Sequence, residues 1–291
     1  MMDVMHTRRW LVALWSLAIA GCVVAARAQE LPEPASVIVK TGDLSAELQR
    51  REMWNLQRIS YRGVQVATAS GAYGTLICVP AIGGWVGGSH TQGGVEQVEQ
   101  VTLTVDGQPA ELTDGATYAC DEAVLSKTSV LDKVRLEATC TFRNGTITQR
   151  VKLTAVEDVI VTTIYPFMYC LSTDTRQWMA ITADNQESGG EFTLSRKLEL
   201  HGGWEWTAAY IPEQQTGFVM RYLRLPEGTN VQTGYWDEER YHKLYVSTPL
   251  DTKAWAEGRS LEAEVIVTCF EVPAETWKSA ACQVAAGLVP Q

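Results

Sequence analysis

The sequence predicts an all-β protein, a large antiparallel β-sandwich with one C-terminal helix. Apolar and polar residues alternate with a period of two along several segments, which is typical of strands that bury one face. Residues that favour tight turns separate these segments, and strands do not alternate with helices as they do in parallel sheets. A single clear amphipathic helical pattern lies near the C-terminus.

The clearest predicted hairpin spans residues 134–156. Apolar residues alternate with polar ones on both sides of the pair Asn144-Gly145. A type I′ turn needs positive φ at both of its central positions, and these two residues adopt it most easily. A two-residue loop pairs Phe142 with Ile147, which puts both apolar sets on one face of the sheet.

Further strands are predicted from the same alternation, and Asp106-Gly107 predicts a second turn. The predicted strands are 74–80, 98–107, 158–169, 216–225, 241–249 and 261–270.

Residues 273–288 carry the pattern of an amphipathic helix. Trp277 and Leu288 fall on one apolar stripe, and Pro273 suits the start of a helix. We expect this helix to pack across the sandwich, and we expect a shorter helix over 44–52.

The first 28 residues have the features of an export signal. A basic start precedes an apolar run over 10–24 and the small residues around Ala28, which is the pattern that signal peptidases recognise. The run is too short to span a bilayer. We therefore expect residues 29–291 to form one domain of a periplasmic or secreted protein. The alternative is a membrane-anchored lipoprotein, because the residues that end at Cys22 resemble a lipidation motif.

The chain is acidic, with a formal net charge of -10. An acidic surface disfavours nucleic acid and anionic membranes as partners. It also disfavours an anionic polysaccharide, unless a local basic groove is present.

The cysteines that follow the signal are expected to be mostly free. Cys140 and Cys269 fall on apolar strand faces, where small buried thiols fit without special chemistry. Because their number is even and the protein is expected to be exported, one or more disulfides are the alternative. The full set is Cys78, Cys120, Cys140, Cys170, Cys269 and Cys282.

The histidines that follow the signal lie in three separate segments, each among glycine or aromatic residues. If these segments converge, imidazoles and carboxylates can act as acid and base or hold one divalent metal. The candidate catalytic residues are His90, Glu96, His201, Glu205 and His242. The metal ligands, if a metal is present, are His90, Glu96, His201 and His242. The alternatives are no cofactor and, for His242, a place in the core beside Leu244 and Val246.

Residues 83–98 partly fit the first cupin motif. Gly84, His90 and Glu96 have suitable spacing, but Gln92 stands where cupins have a second histidine ligand. The glycine expected after the glutamate is also displaced. The pattern leaves a cupin-like metal-dependent enzyme as an alternative.

Several tryptophans lie in turn-like or glycine-rich contexts instead of on alternating strand faces. Flat aromatic rings pack against the C–H faces of sugars, while amides, acids and hydroxyls hold the sugar hydroxyls. The alternative is that a large sandwich simply buries these rings. The expected partner is therefore a carbohydrate. The expected substrate-binding residues are Trp85, Gln92, Trp204, Trp206, Tyr210, Trp236 and Tyr241.

A chain of this length, built almost entirely of antiparallel strands and rich in tryptophan, tyrosine and glycine, resembles the galactose-mutarotase-like supersandwich superfamily. The resemblance covers residues 50–272 and concerns architecture, not a sequence motif. It implies a supersandwich fold of the kind found in aldose epimerases, in domains of polysaccharide lyases and in several glycosidases. It carries over no catalytic residue.

Together these patterns predict an exported carbohydrate-active protein, with an enzyme favoured over a pure binder. Epimerase- or lyase-like chemistry needs one acid and one base at a sugar ring, and Tyr210 or Tyr241 would partner a histidine. Hydrolysis would instead need two carboxylates at about 5–9.5 Å. A non-catalytic carbohydrate-binding or envelope protein is the first alternative, and the cupin-like enzyme is the second.

Overall fold

The computed structural model describes residues 35–71, 74–88, 90–182, 184–194, 198–200, 204–226, 231–250 and 254–289. These residues all belong to one compact unit, Leu31–Gln291. The predicted export signal over residues 1–28, with Cys22, lies outside the described residues.

The elements of the described chain are mainly strands. In chain order, the strands are β1 Ser36–Thr41, β2 Leu44–Gln49, β3 Asn55–Tyr61, β4 Val64–Ala67, β5 Leu76–Val79, β6 Gly84–Val86, β7 Gln97–Val105, β8 Gln108–Ala110, β9 Ala116–Ala119, β10 Glu122–Leu131, β11 Val134–Arg143, β12 Thr146–Ala155, β13 Thr163–Tyr165, β14 Met168–Leu171, β15 Gln177–Thr182, β16 Glu187–Glu191, β17 Leu198–Leu200, β18 Trp204–Ile211, β19 Thr216–Arg224, β20 Gln232–Glu238, β21 Tyr241–Pro249 and β22 Ser260–Glu271. The helix α1 spans Trp277–Gly287.

The strands build two sheets that pack face to face. Sheet one has 12 strands, in the order β6-β5-β13-β21-β14-β4-β3-β2-β1-β9, with β20 beside β21 and β17 beside β20. Sheet two has 10 strands, in the order β16-β15-β18-β19-β22-β12-β11-β10-β7-β8. β13 and β14 follow one another along one edge of β21, and β20 occupies its other edge. Among the paired strands of the described chain, β1 and β9 alone run parallel.

The prediction of an all-β sandwich with a C-terminal helix is confirmed. The predicted hairpin has the expected register, since Phe142 pairs with Ile147. Asn144 and Gly145 have φ values of 50° and 70°, as a type I′ turn requires. The turn at Asp106-Gly107 also has positive φ at both residues.

The prediction of a helix over 44–52 was wrong. Leu44–Gln49 is strand β2, and only a 3-10 turn at Arg50–Glu52 follows it. Leucine, alanine and glutamate favour helices, but buried and half-buried residues alternate along this segment, and it pairs with β1 and β3. Tertiary pairing therefore overrides a weak local preference.

The strand predicted over 158–169 is divided. Val159 forms only an isolated bridge, and β13 and β14 are separated at Pro166, which has no N–H to donate to the ladder. The C-terminal helix begins at Trp277 instead of Pro273, because the intervening residues form a turn.

The helix α1 packs on the outer face of sheet two. Trp277 stacks on Tyr210 with ring centroids 5.2 Å apart. Arg221 donates to the carbonyls of Ala285 and Leu288, at 2.9 Å and 3.1 Å, where the helix ends and its carbonyls lack intrahelical partners. No helix within the described ranges is long and apolar enough to cross a lipid bilayer.

The cysteines of the described chain are free, as we expected. Cys140 and Cys269 lie in the core, and burial raises the pKa of both thiols well above the usual range. These two residues serve as small apolar side chains there.

A buried lysine links the two sheets. The ammonium of Lys127, on β10 of sheet two, lies 2.7 Å from a carboxylate oxygen of Glu96, and both side chains are almost fully buried. Lys127 Nζ also donates to the carbonyl of Met53 at 2.8 Å and to Asn55 Oδ1 at 2.9 Å, on the sheet-one side. Met53 and Trp54 have φ of 58°, which is unfavourable for large residues, and the bond to the Met53 carbonyl stabilises this turn.

Replacing Lys127 with methionine should destabilise the protein by about 3–5 kcal/mol, because Glu96 stays buried without its cation. Adding Glu96→Gln should recover part of the loss. Urea unfolding followed by circular dichroism measures both effects. The control is Lys133→Met, which removes an exposed pair with Glu157 and should barely move the midpoint. Equal shifts for Lys127→Met and Lys133→Met would contradict the account.

Candidate functional site

A group of half-buried side chains shares the face of sheet one that points away from sheet two. In antiparallel pairs, residues directly opposite one another project to the same face. Leu244 and Val246 of β21 are fully buried in the core, so the alternate positions of β21 project outward. We call this group the aromatic face; its members are Trp85, Tyr165, Trp236, Tyr241, Lys243 and Tyr245.

Three rings of the aromatic face form a continuous series across β6, β13 and β21. Trp85 stacks on Tyr165, with centroids 5.1 Å apart and an interplanar angle of 16°. Tyr165 meets Tyr245 edge to face, with centroids 5.5 Å apart. Each pair of this geometry contributes about 0.5–1.5 kcal/mol of stability beyond that from its buried area. The ring contacts therefore stabilise the arrangement of the three side chains.

Lys243 lies at the middle of the aromatic face. Its cross-strand partners are Cys170 on β14 and Trp236 on β20. The indole N–H of Trp236 donates to Glu238 at 2.6 Å. Burial lowers the pKa of Lys243, while nearby Cys170 and Glu238 oppose that shift. Within the described part of the chain, no carboxylate makes an ion pair with Lys243.

Gly71 packs against Cys170 beside the aromatic face. A Cβ added at Gly71 would lie 2.2 Å from Cys170 Sγ and 3.2 Å from the ring of Tyr241, so only glycine fits. Burial raises the pKa of the Cys170 thiol to about 12. Cys170 is therefore a packed neutral thiol and not a nucleophile.

His90 lies near Lys243, in the connection between β6 and β7. Its backbone N–H donates to the carbonyls of Gly87 and Gly88, at 3.1 Å and 2.9 Å. Gly87 is needed there, because it has φ of 103° and an added Cβ would lie 2.4 Å from a backbone oxygen. Burial and, to a smaller extent, the positive charge of Lys243 together lower the pKa of His90 to about 4. His90 is therefore neutral at physiological pH.

His242 projects into the core, on the opposite side of β21 from Lys243. Its Nδ1 lies 2.6 Å from Asp237 Oδ1, and both residues are buried. Asp237 Oδ2 accepts from the N–H groups of Thr193 and Leu194, at 3.0 Å and 2.6 Å, and Phe192 stacks on the imidazole. Burial lowers the pKa of His242 and Asp237 raises it, and burial has the larger effect. His242 thus holds residues 192–194 against β20.

The remaining predicted residues lie away from the aromatic face or outside the described chain. His201 is outside the described residues. Glu96 is bound to Lys127 in the interior, and Gln92 is exposed on the loop after His90. Trp204 is buried and stacks parallel to Trp178.

Three more lie on the other side of sheet two, beneath α1. Trp206 and Tyr210 are buried in the cluster that the helix covers, and the hydroxyl of Tyr210 donates to the Val272 carbonyl at 2.6 Å. Glu205 pairs with Arg221 beside the end of the helix. β18 is buried along both faces because one packs on the core and the other on α1. The structure thus does not bring these residues to Trp85.

In the described chain, two of the named metal ligands are already bound to other groups. Glu96 is paired with Lys127, and Nδ1 of His242 is bonded to Asp237. Within the described ranges, no three His, Cys, Asp or Glu side chains are close enough to hold an ion.

Sequence reasoning missed Lys243, Tyr165 and Tyr245. The signal was present in residues 241–249, where Tyr241, Lys243 and Tyr245 alternate with core residues. A contiguous group of aromatic side chains on the face away from the core is a sign of a binding surface.

Comparisons with solved structures identify the fold. An α-N-acetylgalactosaminidase from Bifidobacterium bifidum is similar with a TM-score of 0.52 and 10% identity, over 86% of this chain but 38% of that one. The Slr1438 protein of Synechocystis sp. PCC 6803 has a TM-score of 0.51 and 12% identity, over 84% and 99% of the two chains. A galactose mutarotase-like protein from Clostridium acetobutylicum has a TM-score of 0.49 and 8% identity, over 80% and 94%.

The predicted galactose-mutarotase-like supersandwich is therefore confirmed as a fold. At these identities the similarity concerns architecture alone. No protein-family model matches the chain, and no curated protein matches it.

The titration of His90 tests this site. His90 should stay neutral down to a pH of about 4, and Lys243→Gln should raise its pKa only in part, because burial is the larger cause. Side-chain nitrogen NMR measures both values, with His90→Gln to assign the signal. A His90 that titrates near 6.5 would contradict the placement.

The same shift affects stability. The folded pKa lies below the unfolded value, so the unfolded chain takes up the proton first as pH falls. The contribution of His90 is complete above about pH 6.5 and is lost as pH falls toward 4. The His90→Gln variant should lose less stability over that interval.

Proposed function

We propose that this protein is an exported carbohydrate-active enzyme that binds a sugar ring on the aromatic face and performs acid/base chemistry there. The observation that carries the proposal is the aromatic face itself, with His90 near enough for the charge of Lys243 to lower its pKa. The fold supports a sugar ligand, since one of the structures that share it is an α-N-acetylgalactosaminidase in complex with GalNAc.

The aromatic face offers contacts both for the apolar C–H face of a sugar and for its hydroxyl groups. Tryptophan and tyrosine rings pack against the apolar C–H face of a pyranose. Lys243 and the phenol of Tyr241 offer donors to the ring hydroxyls, and Glu238 offers an acceptor. Because Trp236 already donates to Glu238, that ring is held in place before a ligand arrives.

His90 and Lys243 supply opposite proton functions. The neutral imidazole of His90 can accept a proton at physiological pH, and the lowered pKa of Lys243 makes its ammonium a better donor. The simplest reaction that needs only these groups is ring opening. The base takes the proton of the anomeric hydroxyl, the bond from the anomeric carbon to the ring oxygen breaks, and the acid protonates that oxygen.

Closure of the ring from the other side of the carbonyl gives the second anomer and returns both protons. The reaction consumes no cofactor. Elimination next to a sugar carboxylate would use the same two groups: the base takes the proton from the carbon that bears the carboxylate, the bond from the neighbouring carbon to its oxygen substituent breaks, and the acid protonates the departing oxygen.

A non-catalytic sugar-binding protein is the second candidate function. One observation favours it: a base with a pKa of about 4 is a weak proton acceptor, well below the value that suits neutral pH. In that case His90 would serve only as a hydrogen-bonding group.

The variant His90→Gln separates the two functions. We expect the native protein to accelerate anomer exchange of a reducing hexose in NMR exchange spectra, and the variant to bind the sugar but lose about 10²–10⁴-fold in rate. The native kcat/KM should fall as pH drops through about 4.

The control is Tyr61→Ala, which removes a half-buried ring beside Arg62, away from the aromatic face. It should leave rate and affinity unchanged. Binding by the native protein without any rate acceleration, and without a loss in His90→Gln, would favour the second candidate. Absence of sugar binding by the native protein would overturn both, and so would sugar binding that Trp236→Ala leaves unchanged.

Export is part of the proposal and has its own test. Cleavage after Ala28 predicts a mature chain that begins at Gln29, in the soluble periplasmic or secreted fraction. Intact mass and N-terminal peptide analysis of the native protein will show this start. A chain that begins at a lipidated Cys22 would establish the lipoprotein alternative, and an uncleaved Met1 would contradict export.

A further inference from the structure

A separate cavity of about 310 Å³ lies at one end of the sandwich. Its lining includes Arg224 at the end of β19 and Ser260 at the start of β22. It also includes Leu250, the residue that follows β21. None of the described residues that line the cavity belongs to the aromatic face. Its size is at the lower end of small-molecule sites.

The floor of this cavity is apolar. Leu225 and Leu250 pack against the main core, and Leu261 belongs to it. Trp255 is almost fully buried, and its backbone pairs with Val159, which fixes the indole in the wall. Leu225 and Leu250 are only partly buried, so they provide the contact surface for a ring or a hydrocarbon body.

The rim of the cavity carries two guanidinium groups. Arg224 pairs with Glu262, and Arg150 also approaches that carboxylate, at 3.4 Å, so Glu262 is neutralised from two sides. Arg259 lies over the indole of Trp255, 5.8 Å from the ring centroid. Within the described part of the chain, Arg259 has no ion-pair partner.

The placement of Arg259 suits an anion. A guanidinium that rests on an aromatic ring uses its face for that contact, and its N–H groups at the edge remain available to a carboxylate. The ring also reduces the side-chain freedom that binding would otherwise cost. On a chain with a net charge of -10, this rim is a local positive surface.

We propose that this cavity binds a small carboxylate whose ring-shaped body rests on the apolar floor, and that a sugar acid has the matching chemistry. Arg259 binds the carboxylate, with Arg224 beside it and the Ser260 hydroxyl as a further donor. The ring packs against the exposed parts of Leu225 and Leu250. This inference does not rest on the proposed function, because it uses none of the same residues.

Calorimetric titration with glucuronate tests the site. We expect saturable binding that weakens as salt is raised, and a tenfold to hundredfold loss in affinity for Arg259→Gln, as expected for a charged hydrogen bond. Acetate should bind much more weakly than glucuronate, because it lacks a body to rest on the floor. Glucose binding should not change in Arg259→Gln.

The matched control is Arg50→Gln, which removes another exposed arginine that lies over a tryptophan, 5.7 Å from the ring of Trp54. It should leave glucuronate binding intact. Failure of glucuronate to bind the native protein would overturn the proposal, as would an equal loss in Arg50→Gln. A loss in Lys243→Gln and not in Arg259→Gln would also overturn it, and would place the carboxylate on the aromatic face, leaving the proposed function intact.

Discussion

The contact between Lys127 and Glu96 is the constraint from which the geometry of the candidate site follows. Burying two charges costs several kcal/mol for each ion, which only close pairing and further hydrogen bonds offset. Here the ammonium meets the carboxylate at 2.7 Å and also bonds Met53 and Asn55. The Lys127 side chain therefore connects three segments: β10 of sheet two, the turn before β3 of sheet one, and the residues that lead into β7.

From that point, close contacts lead to the aromatic face. Asn55 packs so tightly against Gly74 that a Cβ there would lie 2.5 Å from it. The next residue, Thr75, donates to the carbonyl of Pro166, beside Tyr165, and its own carbonyl is covered by Gly87. The loop that carries His90 and the strand that carries Tyr165 thus rest on one interior support. The Lys127–Glu96 pair therefore stabilises the fold and also sets the position of the proposed base.

Local patterns predicted most of the fold, because its strands, turns and helix depend on neighbours in sequence. The Asn144-Gly145 hairpin is the clearest case. The site was predicted less well. Trp85, His90, Trp236 and Tyr241 lie at or beside the aromatic face, but Glu96 and His242 turn inward, and Trp206 and Tyr210 lie beneath α1. The face on which each side chain lies depends on how the strands pair and on what covers each sheet. The periodicity of the sequence does not contain that information.

The central claim is that the aromatic face, and not another surface of the sandwich, holds the sugar. A crystal structure of the protein soaked with a monosaccharide tests it most directly. The account predicts a pyranose with its C–H face on Trp236 or Tyr245 and a hydroxyl within hydrogen-bond distance of both His90 and Lys243. A second hollow lies beside the helix α1 and is lined by Glu205, Trp206 and Arg221. A sugar found there, with the aromatic face empty, would contradict the account.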